Sequence, residues 1–183
     1  MAKERLAKFK PSSTGDQPKA SLQNSKYLHH LLEQREINLF VTLGTKMKKA
    51  GKEGVFTEWM YEQSDLVQAA ARAYAERLVS EQFAQGIESA DASLRSILEQ
   101  LYQLYLLDIV ERDLGWFVLS GLLPTDVGKG VGEAACALCK ELAPNCLALA
   151  EAFGVTDAMM AAPIARDWIG YNEYDNQGEV QKM

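Results

Sequence analysis

Leucines set the first pattern along the chain. In SKYLHHLLEQREINLFVTLGTKMKKA, residues 25–50, Leu28, Leu31, Leu32, Leu39 and Leu43 recur at steps of three and four. That is the spacing of one buried helix face. Lys46, Lys48 and Lys49 crowd its last turn, where positive charge suits the helix dipole. Gly51 and Gly54 then permit a turn. A second helix is predicted over residues 57–85, capped by Thr57 and stopped by Gly86. Its inner face reads as Leu66, Ala70, Ala73, Tyr74, Leu78 and Phe83. Alanines there combine high helix propensity with close packing.

The third pattern, LRSILEQLYQLYLLDIVERDLGWFVLSGLLP, predicts one long helix over residues 94–124. Asp91 or Ser93 caps it, and Gly121 and Pro124 end it. Leu94, Ile97, Leu98, Leu101, Leu104, Tyr105 and Leu107 make a broad apolar side, continued by Val110, Leu114, Phe117 and Val118. So wide a face needs neighbours on more than one side. If Leu101 is fully buried, its truncation to Ala costs about 2–5 kcal/mol. A fourth helix is predicted over residues 126–153, on Val127, Val131, Ala135, Leu138, Leu142, Leu149 and Phe153. Pro144 kinks it or starts a new one. A short helix follows over residues 155–165.

Alternating strand patterns are lacking, so the fold predicted is all-α, an up-down bundle. The bundle spans residues 25–172. Residues 1–24, broken by Pro11, Gly15 and Pro18, read as a flexible polar arm, and residues 173–183 as a polar tail.

Composition narrows the classes. The chain has 183 residues, 48% hydrophobic and 24% charged, with a net charge of −6. That suits one globular domain and argues against nucleic acid, whose phosphates need clustered Lys and Arg. No apolar run reaches the length of a transmembrane span. Three Cys cannot all pair, which favours a reducing compartment over a disulfide scaffold.

Candidate chemistry is sparse. GKGVG, at residues 128–132, has neither phosphate-loop order and follows no strand. Cys136 and Cys139 form a CxxC without a second pair, with Cys146 further on. Within a helix among Ala and Leu they read as small buried thiols rather than zinc ligands. His29 and His30 point to different sides of a helix and fit no HExxH pattern. Asp108, Glu111, Arg112 and Asp113 form the densest polar group. Asp108 and Arg112 are four apart and suited to pair along the helix. A di-iron bundle would need Glu-x-x-His pairs that this chain lacks. Trp59, Trp116 and Trp168, with Tyr102 and Tyr105, suit interfaces or core ends equally. The residues alone therefore give no catalytic constellation and no metal site.

Three segments carry a family resemblance. DLVQAAARAYAERLVSEQF (65–83), LRSILEQLYQLYLLDIVERDLGWFVLSGLL (94–123) and LAPNCLALAEAFGVTDAMMAAPIA (142–165), with REINLF from Arg35, resemble the C-terminal helical domain of the peroxisomal acyl-CoA oxidases. The resemblance implies a homodimeric, FAD-dependent family that converts acyl-CoA and oxygen to trans-2-enoyl-CoA and hydrogen peroxide, in fatty acid β-oxidation. There a carboxylate takes the α-proton and the flavin takes the β-hydride. Those groups belong to domains this chain lacks, and no residue here matches the catalytic Glu. The expectation is a structural or dimerisation-type domain, inactive alone, that binds no cofactor itself and pairs with a protein partner: the other oxidase domains or another subunit. A non-catalytic scaffold with the same fold is the alternative. A helical lipid carrier would need an apolar cavity. A short natural protein, a fragment and one piece of a split oxidase all remain open. Gln181, Lys182 and Met183 resemble a peroxisomal import tripeptide, with Gln181 departing from the usual small residue.

Overall fold

The first helix begins at a side-chain cap. The Asn24 carboxamide oxygen accepts from the backbone N–H of Lys26 at 3.0 Å and of Tyr27 at 3.3 Å, satisfying two otherwise orphaned donors. In the computed structural model, residues 21–156, 158–160, 162 and 169–170 are described. They fall into two compact units, one ending at Leu142 and one starting at Ala143.

The first unit holds α1 (Ser25–Thr57), a π-helical turn (Glu58–Glu62), α2 (Ser64–Ser89), α3 (Ala92–Arg112), α4 (Leu114–Leu119), α5 (Thr125–Gly128) and α6 (Val131–Leu142). Cross-helix partners fix the directions. His29 meets Ser80, and Arg35 meets Glu76, so α1 and α2 run antiparallel. Ser80 meets Tyr102, and Glu76 meets Arg112, so α3 reverses again. Gln100 reaches Glu141, and Glu111 lies against Gly132, so α6 runs antiparallel to α3. The result is an up-down bundle of α1, α2, α3 and α6, the architecture the apolar periodicities predict.

The core follows the leucine stripes. Leu28, Leu32, Leu106, Leu107, Ile109, Val110, Phe117, Leu123 and Val131 are fully enclosed. At one end Leu39, Leu43, Ala70 and Ala73 form a tight cluster, flanked by Phe40, Met47, Leu66, Val67 and Trp116. The alanines let α2 approach α1 closely there.

Several local expectations change. Thr57 caps nothing; it lies in helical conformation at the end of α1. The break falls at Gly51, one of the two glycines expected to permit a turn, whose φ of 68° and ψ of −177° kink α1. Gly86 sits inside α2 rather than ending it. The predicted 94–124 helix is interrupted at Asp113 (φ −108°, ψ 24°), between α3 and α4. Asp91 does cap α3, accepting from the Ser93 N–H at 2.8 Å. At Gly121 (φ 72°) the chain closes α4 with two bonds, Leu122 N–H to Phe117 C=O and Gly121 N–H to Val118 C=O, the left-handed glycine cap. Leu101 is only half-buried; Leu106 and Leu107 take the central place.

The predicted 126–153 helix is several pieces. α5 and α6 belong to the first unit. The second unit has a 3₁₀ turn at Ala143–Asn145, containing Pro144, and then α7 (Cys146–Glu151). Its described residues between 155 and 162 are not helical. The arm up to residue 20, Trp168 and the tail beyond residue 170 lie outside the described residues.

Candidate functional site

Two arginines occupy the buried stripes. Arg35 falls on α1 between Leu31 and Leu39, and Arg77 on α2 four residues after Ala73. Both side chains are nearly inaccessible to water. A charge so placed needs partners, because unpaired burial is prohibitive. Arg35 donates to Glu76 on α2 and to Asp113 at the α3–α4 break. Asp113 also accepts from Arg72 at 3.0 Å. Glu76 also accepts from Arg112 at 3.2 Å, which in turn pairs with Asp108 at 3.1 Å. The guanidinium of Arg35 lies 5.4 Å from the Phe117 ring centre, a cation–π contact. One continuous network thus ties α1, α2 and the end of α3.

Arg77 forms a second centre. It bonds Glu36 on α1 and approaches Glu81 at 2.8 Å on its own helix. Burial pulls its pKa down, but the hydrogen bond and charge of Glu36, helped by Glu81, outweigh that and leave it raised. Tyr105 donates its hydroxyl to the Glu76 carbonyl at 2.9 Å. Burial and then the Glu76 charge raise that phenol's pKa.

A third polar group crosses the bundle further along. Ser80 Oγ is 2.7 Å from His29 Nδ1 and 2.9 Å from the Tyr102 hydroxyl. Burial raises the Tyr102 pKa, and the Ser80 bond offsets part of it. Ser80 is fully enclosed, so no substrate reaches its hydroxyl, and the trio reads as a satisfied polar bridge. His30 turns away to Glu33 at 3.3 Å.

Of the predicted polar group, Asp113 enters the buried network. Arg112 and Asp108 pair on its exposed margin, as their spacing predicts. Glu111 lies apart, exposed against α6. Cys136 and Cys139, expected to be buried, are exposed, as is Cys146. The core face of α6 is taken by Val131, Ala135, Leu138 and Leu142, which leaves Cys136 and Cys139 on its outer side. Among the described residues no three His, Cys, Asp or Glu side chains gather as a metal site. No described helix is long and apolar enough to cross a membrane.

Two places could in principle receive a flavin or other nucleotide. In the GKGVG segment, a Cβ on Gly128 would meet Val118 at 3.2 Å and Leu114 and Leu123 at 3.5 Å. Gly128 is there to pack, not to cradle phosphate. A Cβ on Gly132 would come within 2.9 Å of a Glu111 carboxylate oxygen, an environment that repels phosphate. A cleft of about 720 Å³ opens between the start of α1, the end of α2 and the start of α3, among Lys26, His29, Glu81, Glu88, Glu99 and Tyr102. Its three carboxylates oppose one lysine, which suits neither a pyrophosphate nor an apolar acyl chain. These residues do not fit FAD, and no chemical step is derived through it.

Known proteins share this fold. An acyl-CoA oxidase of Kluyveromyces lactis is 27% identical over 154 residues, covering 83% of this chain and 19% of the relative. The crystal structure of acyl-CoA oxidase 3 from Yarrowia lipolytica superposes with a TM-score of 0.70 at 24% identity, covering all of this chain and 26% of the other. That likeness establishes the helical bundle fold. The chain spans about a fifth of the length of the curated relative and a quarter of the solved one. The family model for acyl-CoA oxidase matches residues 24–167, well over half of the sequence, and the chain belongs to the acyl-CoA oxidase family.

Proposed function

We propose that this chain is the C-terminal helical domain of an FAD-dependent acyl-CoA oxidase, with a supporting rather than a catalytic role. In this reading the oxidase desaturates acyl-CoA to trans-2-enoyl-CoA and passes electrons to oxygen in peroxisomal fatty acid β-oxidation. The flavin and the catalytic carboxylate are held by the other domains. The observation that carries the proposal is where the carboxylates sit. Glu36, Glu76 and Asp113 are engaged by Arg77, Arg35, Arg112 and Arg72 in contacts that tie helices together. A proton-abstracting base must instead face a substrate cleft. The share of its relatives that the chain spans supports the same reading.

Native mass spectrometry of the complex purified from its source tests it. An assembly containing FAD and the remaining oxidase domains is the expected result. A flavin-free chain, alone or among unrelated subunits, would leave a helical scaffold that kept the fold and not the chemistry.

A further inference from the structure

The tip of the α1–α2 hairpin gathers exposed apolar side chains that elsewhere in the described first unit, as at Val41, Val79, Leu94 and Leu119, stand singly. Val55, Phe56, Trp59, Met60 and Tyr61 are five large apolar side chains within seven residues, and all are exposed. Phe56 is 64% exposed, Trp59 44% and Tyr61 72%. Phe56 and Tyr61 stack edge to face, ring centres 6.3 Å apart, at the surface. Two backbone irregularities frame this patch. Gly51 kinks α1 just before it, in a conformation nearly reserved for glycine. The π-helical turn Glu58–Glu62 lies across it, with the Gln63 N–H bonded to the Glu58 carbonyl at 2.8 Å and the Gln63 side chain bonded to the Glu58 carboxylate at 3.0 Å. Such π turns recur at functional sites. Without both features the helix would run on with another set of residues at its end.

We infer that this tip is an anchor that seats in an apolar pocket on the remaining domains of the oxidase, whether these lie on the same polypeptide or a second one. The inference rests on the function proposed above. Three observations select that occupant. At about 200 Å² per ring, the three aromatic side chains leave roughly 350 Å² of aromatic surface in water, within the range of the largest apolar patch on a typical monomer, which is often functional. Two copies meeting tip to tip would bury roughly 700 Å² from these rings, below the roughly 1,200 Å² of a specific interface. The remaining oxidase domains can instead take the tip as one part of a wider contact. A membrane is the poorer occupant. Lys46, Lys48, Lys49 and Lys52 are balanced by Glu53, Glu58, Glu62 and Asp65 along the same segment, so no net positive charge faces anionic lipid. The relatives supply the partner's bulk, since the chain spans 26% of the solved oxidase. Buried aromatic anchors of this kind dominate interface energetics.

The test is site-specific photo-crosslinking in the source organism. The full chain carries p-benzoylphenylalanine in place of Tyr61 or, as a control away from the tip, in place of the exposed Leu94. Cross-linked peptides are mapped by mass spectrometry. Crosslinks from position 61 to oxidase sequences outside the matched region support the anchor, as does a fall of about tenfold or more in oxidase recovered with Trp59→Ala. Trp59 is 44% exposed and stands outside the enclosed core, so that variant should still fold, and the crosslinks from position 61 do not depend on it. Oxidase crosslinks from position 94 but none from position 61 overturn the anchor and leave the oxidase reading standing. Crosslinks from position 61 only to a second copy of this chain, or only to lipid, overturn it as well. A chain that crosslinks to no oxidase sequence from either position overturns both readings.

Discussion

Replacing Arg35 by methionine probes the network at its centre. Arg35 is 2% exposed, and its partners Glu76 and Asp113 are 12% and 22% exposed. Removing one member of a buried ion pair costs about 3–5 kcal/mol, because the remaining charge stays desolvated. Two features move the value to the bottom of that range. Glu76 keeps Arg112 at 3.2 Å, and Asp113 keeps Arg72 at 3.0 Å. Methionine also retains most of the packing against Phe117, while the cation–π contact at 5.4 Å is lost. We therefore expect Arg35→Met to destabilise by about 3 kcal/mol. Arg72 and Arg112 are 53% and 50% exposed, so Arg72→Met and Arg112→Met should each cost less than about 1 kcal/mol. Urea unfolding followed by far-UV circular dichroism reads the difference. With a slope of about 2 kcal/mol per M, the Arg35→Met midpoint falls by about 1.5 M. A loss below about 1 kcal/mol, or equal losses at Arg35 and Arg72, would refute the claim that burial of one central charge sets the energetics.

Four further perturbations separate the forces at work. Gly51→Ala should cost about 1–3 kcal/mol although no atom lies within 4 Å of the added Cβ; an unchanged urea midpoint would contradict a purely backbone effect. Leu106→Ala should cost about 2–5 kcal/mol, and Leu101→Ala, half-buried, clearly less, in the same unfolding assay. Ser80→Ala removes the bond that offsets burial at Tyr102, so the Tyr102 pKa should rise further in an ultraviolet titration, with a stability loss of about 1–2 kcal/mol. Hydrogen bonds from the Ser93 side chain and backbone hold Asp91 below the usual carboxylate range. Its stabilisation is full above pH about 4 and fades as pH falls through the lowered value, so the gap in melting temperature between wild type and Asp91→Ala should close in acid.

The bundle was legible because its stripes are leucine and alanine at helical spacing. Leu28, Leu31, Leu32, Leu39 and Leu43 are all buried, as the periodicity predicts. What periodicity misses is a polar residue standing in the stripe. Arg35 continues the four-residue step from Leu31 to Leu39, and Arg77 and Ser80 continue the step from Ala73. Counting apolar positions passes over them, although a charge in register with a buried face is itself a signal for a buried partner. Element ends were harder. The break at Asp113 has neither Gly nor Pro at its centre; the tertiary bond to Arg35 accompanies it. The cysteines failed for a related reason. Ala and Leu surround Cys136 and Cys139 in sequence, but the packed face of α6 is the one through Val131, Ala135, Leu138 and Leu142, and the thiols fall outside its arc.

The arginine network also bears on why a leucine-rich bundle takes one arrangement. Apolar stripes can slide past one another by a helical turn at modest cost, since leucine packs against leucine in many registers. The paired charges allow far less freedom. A one-turn shift of α2 against α1 would carry Glu76 away from Arg35, and Glu36 away from Arg77, so that each buried guanidinium would lose a carboxylate at once, Arg35 keeping only Asp113 and Arg77 only Glu81. The loss of one buried partner at each of two sites would then oppose the slipped state. On this view the ion pairs contribute little to net stability and much to the choice of register. The prediction that separates the two roles replaces Arg35 and Glu76 together, by methionine and leucine. Stability should recover by about 1 kcal/mol or more relative to Arg35→Met alone, because the desolvated carboxylate is gone. Hydrogen exchange along α1 and α2 should nonetheless become faster and less uniform. A double variant with wild-type exchange protection would mean that the leucine and alanine faces set the register unaided.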